Sequence, residues 1–424
     1  MKKRIESWFR LPEHKTTLQK ELLAGITSFF TISYIIVVNP LILADAGIPY
    51  YGALIATILV TVLSCLFIGL YANAPIILSP GMGVNAFFTY TIVDGMGLTW
   101  QEGLGAVVMA GLLFCIAALT PIKSILSRSI PESLKHGITV GIGLFLAFIG
   151  LQKGGIVEKS PDTFVKLGDL SEPTTLLTLA GFVLCLTFFV KKIKGGFVIS
   201  VLLISLTSFV LGLTPKSPEA VNGSAFIWLN ADLTGWITAD FWIASFSLAL
   251  ILIVENMGLL HGMLPDRKKF DRSFQASAFS SVISGLFGTS PSISTAESAS
   301  GIAEGGRTGI TAITCGLLFL VSLFAIPLLV GIPDAAIAPI LIIIGGVMMQ
   351  SIQHIPLEDF TESFPAFLII ALIPLTYSIV DGLAFGFIVY PIIKIAVGQF
   401  KQIPRTMYVM ASLFILNFVF HFYI

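Results

Sequence analysis

Charge is what this chain has least of. Only 11% of its 424 residues are Asp, Glu, Lys or Arg, against 55% that are hydrophobic, and mean hydropathy is +0.94. Soluble domains carry about 25% charged residues, so a water-facing surface is excluded over most of the length. An excess of either sign is missing too: formal net charge is zero and pI about 7.0, which leaves no electrostatic footprint for nucleic acid. Cysteine is scarce. Cys65, Cys115, Cys185 and Cys315 each sit in an apolar run with no CxxC pair, and read as small buried hydrophobes, neither disulfides nor metal ligands. No GKS/T follows the glycines at 81, 83, 301, 305 and 306, which argues against a phosphate loop and against nucleotide-driven pumping; close backbone packing explains these glycines. An intramembrane enzyme would need a Ser/His or paired Asp arrangement at depth, and none is visible. Neither metal nor cofactor is expected. The polar stretch from Met1 to Lys20 leads into a run of spanning length without a small-residue cleavage site, so no removable signal peptide is expected.

What the chain does have is apolar runs. They fall at roughly 21 to 43, 52 to 71, 74 to 90, 101 to 121, 136 to 152, 173 to 190 and 194 to 213, then at 241 to 263, 272 to 287, 289 to 304, 308 to 330, 335 to 352, 363 to 379 and 381 to 398. Seven and seven is informative: an odd count per half makes the second half enter from the opposite side, an inverted repeat with its site near the midplane. The expectation is an all-α polytopic membrane protein of fourteen spans, crossing the plasma membrane with its N-terminus in the cytoplasm and lipid around it. Lys and Arg agree, because only Lys153, Lys159, Lys166 and Lys216 fall outside under that layout. A last apolar stretch, Met407 to Tyr423, is either a fifteenth span or a helix along the membrane.

Two runs are broken alike. Ser79-Pro80 opens Ser-Pro-Gly-Met-Gly-Val-Asn85-Ala-Phe87-Phe88 in span 3, and Ser290-Pro291 opens Ser-Pro-Ser-Ile-Ser-Thr-Ala296-Glu297 in span 10; aligned without a gap, they place Asn85 beside Glu297. Backbone interrupted inside a membrane is tolerated only where protein or a polar cavity satisfies it, and such breaks in both halves point to a transporter's binding site. Helices are expected to start just after Pro80 and Pro291, with unpaired N–H groups facing the cavity. Glu255, in Leu250-Ile-Leu-Ile-Val-Glu-Asn-Met-Gly-Leu-Leu260, lies about 20 Å from the outer end of its segment. A carboxyl at that depth is a functional candidate by default. Glu297 at a helix start suits ligand binding, and Glu255 in a continuous apolar helix suits proton carriage. A flat heterocycle with donors and acceptors fits such a site; so would Na⁺ or an amine. His261 as a proton relay, and Tyr34, Phe87 or Phe88 stacking on a ring, compete with plain packing. An Arg307–Glu304 pair reads as structural.

Thr27-Ser-Phe-Phe-Thr-Ile-Ser-Tyr-Ile-Ile-Val-Val-Asn-Pro40, Ser79-Pro-Gly-Met-Gly-Val-Asn-Ala-Phe-Phe88 and Glu297-Ser-Ala-Ser-Gly-Ile-Ala-Glu-Gly-Gly-Arg-Thr-Gly309 resemble the signatures of the AzgA-like branch of the nucleobase cation symporter-2 superfamily, over nearly the whole chain. The resemblance implies a permease importing guanine, hypoxanthine or adenine by proton rather than Na⁺ symport, and a homodimer joined through gate domains. It implies a core domain at 21–121 and 241–330 (spans 1 to 4 and 8 to 11) and a gate domain at 122–213 and 331–400 (spans 5 to 7 and 12 to 14). A cytoplasmic segment 1–20, an outer loop 214–240 and the apolar segment 401–424 complete the division. Asn85, Glu255 and Glu297, with Phe87 and Ala296, become the base-binding positions, and Glu255 and Glu297 the proton-coupling pair. Span 8 departs from the branch, whose pattern there is Asp, Thr and then Gly-Thr; Glu255-Asn-Met-Gly-Leu259 is more similar to the uracil and xanthine branches. An anion carrier for sulfate or bicarbonate is the alternative on the same fold, although two carboxyls at the site would repel anions.

Overall fold

A computed structural model describes residues 6–121, 130–160, 163–193, 195–213, 227–325 and 332–423. Thr17 starts α1 (Leu18–Ile32) by accepting from the Lys20 N–H, the usual device for an orphan donor at a helix start. The chain breaks at Ser33-Tyr34 and continues as α2 (Ile35–Asp45), so one apolar run makes two helices. α3 (Tyr50–Tyr71) leads into β1 (Leu78–Pro80), a short α4 (Met82–Ala86) and a π-helical stretch, Phe87–Gly95. α5 (Trp100–Leu119) opens on a Thr99–Glu102 capping box. α6 (Glu132–Lys153), α7 (Pro173–Val190) and α8 (Gly196–Val210) complete the first half. The second half holds α9 (Ala239–Met263), α10 (Phe270–Phe287), β4 (Ser292–Ser294), α11 (Ser298–Ala303), α12 (Gly309–Ser322), α13 (Asp334–Met348), α14 (Phe360–Thr376) and α15 (Ile379–Ala396), followed by α16 (Arg405–Tyr423).

Eight helical stretches among the described residues are long and apolar enough to cross a membrane. Their outer faces match: Val183, Val190, Leu206, Phe209 and Val210 on α7 and α8 are exposed, which water would penalise and lipid would not. Helices pair in two groups. α3 packs on α12 and α5 on α10; α1 packs on α12 and α9 on α5. Elsewhere α6 packs on α13, α14 on α6 and α7 on α13, while α8 lies on α7 and α15 on α14. Exchanging the halves turns each pairing into another of the set, except α6 with α13, which maps onto itself.

Two short ladders interrupt the helices. β1 pairs antiparallel with β4, Leu78 opposite Ser294 and Pro80 opposite Ser292; a hairpin, β2 (Val157–Ser160) with β3 (Phe164–Leu167), joins α6 to α7 and was not expected. The second break also corrects the expected helix start. α4 begins two residues beyond Pro80, but α11 begins only at Ser298, after an extended run. That run is satisfied by other partners: Ser292 N–H donates to Ser284 Oγ and Ser294 N–H to Asn256 Oδ1, both at 2.9 Å, and Ser281 Oγ donates to the Ser292 carbonyl at 2.9 Å. With its donors occupied, the chain has no need of a helix there. The expected starts of the N-terminal segment and of the first gate portion, much of the outer loop, and the second core–gate boundary fall at 1–5, 122–129, 214–226 and 326–331, outside the described residues.

Candidate functional site

The β1–β4 ladder is fully buried, and the side chains around it come from both halves. Asn39 in α2 donates to Thr57 Oγ1 at 2.8 Å and to Thr289 Oγ1 at 3.0 Å, and accepts from Ser290 Oγ at 3.1 Å. Its carbonyl accepts from Asn85 Nδ2 at 3.3 Å. Ser298 Oγ takes the Ile77 N–H at 2.9 Å, and the Thr295 N–H donates to the Ile77 carbonyl at 3.1 Å. The two breaks are thus sewn to each other and to α2.

Glu297 is the residue just before α11 and makes no capping bond with its side chain. Instead Oε1 accepts from the Tyr34 hydroxyl at 2.6 Å, in the range of charge-assisted O–H···O⁻ bonds. Glu255 lies in the continuous helix α9, which touches both α4 and α11. Asn85 is fully buried, and neither Asn85 Oδ1 nor Glu255 Oε2 has a hydrogen-bond partner among the described residues. Ala296 is exposed and Glu297 partly so. The structure thus brings the elements that carry the expected carboxyls and Asn85 into contact, with one oxygen of Glu255 and the carbonyl of Asn85 unspent among the described residues. Phe87 and Phe88 have no exposed surface, and Tyr34 almost none at 2%. His261 stacks on Phe270 at 4.1 Å.

A cavity of about 460 Å³ opens between the two helix groups, lined by Thr27, Phe30 and Thr31 of α1, by Phe188, Phe189, Lys192 and Phe197 around the α7–α8 turn, and by Ser300 and Glu304 near α11. Phe197 lines it and also meets the Tyr34 ring edge-on at 5.5 Å. Tyr34, Asn39 and Glu21 escape the sequence reading. Nothing in an apolar run says that the Tyr34 hydroxyl meets a carboxyl. Glu21, fully buried, accepts from Arg307 N–H at 2.8 Å, Thr308 N–H at 3.2 Å and Thr311 Oγ1 at 2.7 Å, holding the start of α12; Arg307 Nη1 donates to the Ile302 and Gly306 carbonyls.

Long apolar helices, lipid-type outer faces and a polar buried crossing of two short broken segments define a multi-pass membrane protein of transporter type. The Permease family, in its xanthine/uracil permease form, matches residues 19–385, and the chain belongs to that family, within its AzgA-like purine permease branch. It is 44% identical to the nucleobase transporter PlAzg2 of Paenibacillus larvae over 88% of this chain and 76% of that one. It is 38% identical to the guanine/hypoxanthine permease PbuO of Bacillus subtilis over 96% and 99%, and 36% identical to the adenine permease AdeP of Escherichia coli over 98% and 96%. Among solved structures, the transmembrane domain of the cyanobacterial bicarbonate transporter BicA superposes with a TM-score of 0.67 at 18% identity, over 87% of this chain and 97% of that one. The family consists of permeases, not enzymes.

Proposed function

We propose that the chain is a secondary active transporter that imports a purine nucleobase by proton symport across the plasma membrane, with its N-terminus in the cytoplasm. The observation that supports this reading is that α9, which carries Glu255, touches both α4, which carries Asn85, and α11, which Glu297 precedes, beside the buried ladder of the two breaks, in a chain whose relatives are named for nucleobases. Carboxylate oxygens accept from ring and exocyclic N–H groups, the Asn85 amide carbonyl adds a neutral acceptor, and Glu255 is the carboxyl placed to take up and release a proton. The half-exchanged helix pairings support a seven-plus-seven inverted repeat of fourteen spans, with spans 3 and 10 broken. The two packing groups support a core of spans 1 to 4 and 8 to 11 and a gate of spans 5 to 7 and 12 to 14, and we assign the functional unit as a homodimer through the gate. Likeness to BicA concerns the fold. Two carboxyls at the crossing oppose an anion, so anion carriage is the weaker reading.

Uptake of radiolabelled hypoxanthine by cells expressing the chain, competed with guanine, adenine, uracil, xanthine and sulfate, tests the proposal. Competition by purines and none by sulfate is expected; competition by sulfate alone, or uptake insensitive to collapse of the proton gradient, would overturn it.

A further inference from the structure

Tyr34 stands where α1 breaks, between Ser33 and Ile35. From there its hydroxyl reaches Glu297 Oε1 at 2.6 Å, and its ring is met edge-on by Phe197, itself stacked on Phe189 at 5.8 Å. The phenol is therefore fixed from the α8 side and has one bond to give, which goes to the carboxyl that no helix cap restrains. Without the Tyr34 bond the carboxylate would have more freedom to lose when a ligand binds, and such ordering costs affinity.

We propose that Tyr34 is a positioning residue of the site, holding one oxygen of Glu297 so that the other is presented to the ligand. The inference rests on the reading of Glu297 as the ligand carboxyl. Its ring is packing, while the hydroxyl supplies the function, so removal of one oxygen atom separates the two roles. Three variants of the full chain in detergent, Tyr34→Phe, Glu297→Gln and the double variant, are compared with the wild type for binding of guanine, hypoxanthine and adenine by calorimetry, with ligand-free thermal unfolding recorded in parallel. Tyr34→Phe is expected to weaken whichever base the wild type binds by roughly five- to tenfold without changing the rank order of bases, a part of the roughly ten- to a hundredfold weight of a hydrogen bond to a charged group, because the hydroxyl orders the carboxyl and does not touch the base. Glu297→Gln is expected to weaken it roughly ten- to a hundredfold. The double variant should bind no more weakly than Glu297→Gln alone, because the hydroxyl then has no carboxylate to hold. Wild-type affinity in Tyr34→Phe alongside loss in Glu297→Gln removes the Tyr34 assignment and leaves the ligand carboxyl standing. Losses that multiply in the double variant, or a lowered unfolding midpoint with affinity intact, make Tyr34 an independent contact or a structural staple and overturn the proposal. Unchanged affinity in Glu297→Gln removes the parent reading itself.

Discussion

At the scale of single residues, depth was the legible signal. Glu255 and Glu297 stand out as candidates because a carboxyl far inside an apolar run has few structural excuses, and Asn85 because it follows a Ser-Pro break. Tyr34 was illegible: an aromatic in a membrane segment looks the same whether it faces lipid, packs, or gives its hydroxyl to a carboxyl 263 positions away. Asn39 was equally silent, although its side chain bonds Thr57, Thr289 and Ser290. The two carboxyls also predict a division of labour. Glu297 is bonded and partly exposed, whereas Glu255, in the midst of α9, keeps an oxygen without a partner among the described residues. Glu255→Gln fixes the neutral form permanently, so in proteoliposomes this variant should still exchange a purine in counterflow but should no longer accumulate it against a gradient, and its uptake should lose dependence on external pH. Concentrative, pH-dependent uptake by the variant would assign coupling to another group.

At the scale of elements, hydropathy found the helices and missed what happens inside them. α3, α7 and α10 lie close to the runs expected at 52 to 71, 173 to 190 and 272 to 287, since a continuous apolar stretch of that length has one way to satisfy its backbone. The π-helical stretch Phe87–Gly95 and the late start of α11 depend on partners from remote segments, and no local pattern carries them. Close helix approach is likewise a matter of partners. A Cβ at Gly309 would fall on the backbone carbonyl of Gly69 where α12 meets α3, whereas a Cβ at Gly346 in α13 meets nothing within 4 Å. Alanine favours a helix over glycine by up to about 1 kcal/mol, so the same substitution should act with opposite sign at the two sites. Gly346→Ala should be neutral or slightly stabilising, and Gly309→Ala should destabilise by about 1 to 3 kcal/mol through forced separation of the helices. Thermal unfolding of the two variants in one detergent decides it, and equal midpoints would show that the α3–α12 approach is not tight in the membrane protein.

At the scale of the whole molecule, the two helix groups are joined unequally at their ends. Lys153, the last residue of α6, pairs with Asp45 at the end of α2 at 2.8 Å and with Asp334 at the start of α13 at 3.5 Å. Asp45 also accepts from the Tyr90 hydroxyl at 2.7 Å, and the Ile379 N–H donates to Thr91 Oγ1 at 3.2 Å. The Lys153–Asp45 and Ile379–Thr91 links fasten the first group to the second at the end assigned to the outside, while the 460 Å³ cavity separates the same groups near Lys192 and Glu304. Lys153 clasps this end, because its side chain is 18% exposed and its cation bridges two carboxylates of different groups. Removing it leaves Asp45 and Asp334 to repel. A transporter that opens outward must part this end, so Lys153→Ala should favour the outward-open form. Thr91→Cys supplies a reporter: position 91 is 1% exposed, and all four native cysteines are buried. A membrane-impermeant thiol reagent added outside intact cells should label Thr91→Cys slowly and Thr91→Cys/Lys153→Ala several-fold faster, with Lys153→Arg restoring the slow rate because its charge still bridges the two groups. Equal labelling in all three would mean that the ion pairs do not hold the outer end shut, and the closure would then rest on the aromatic contacts of Tyr90 with Phe145 and Tyr377.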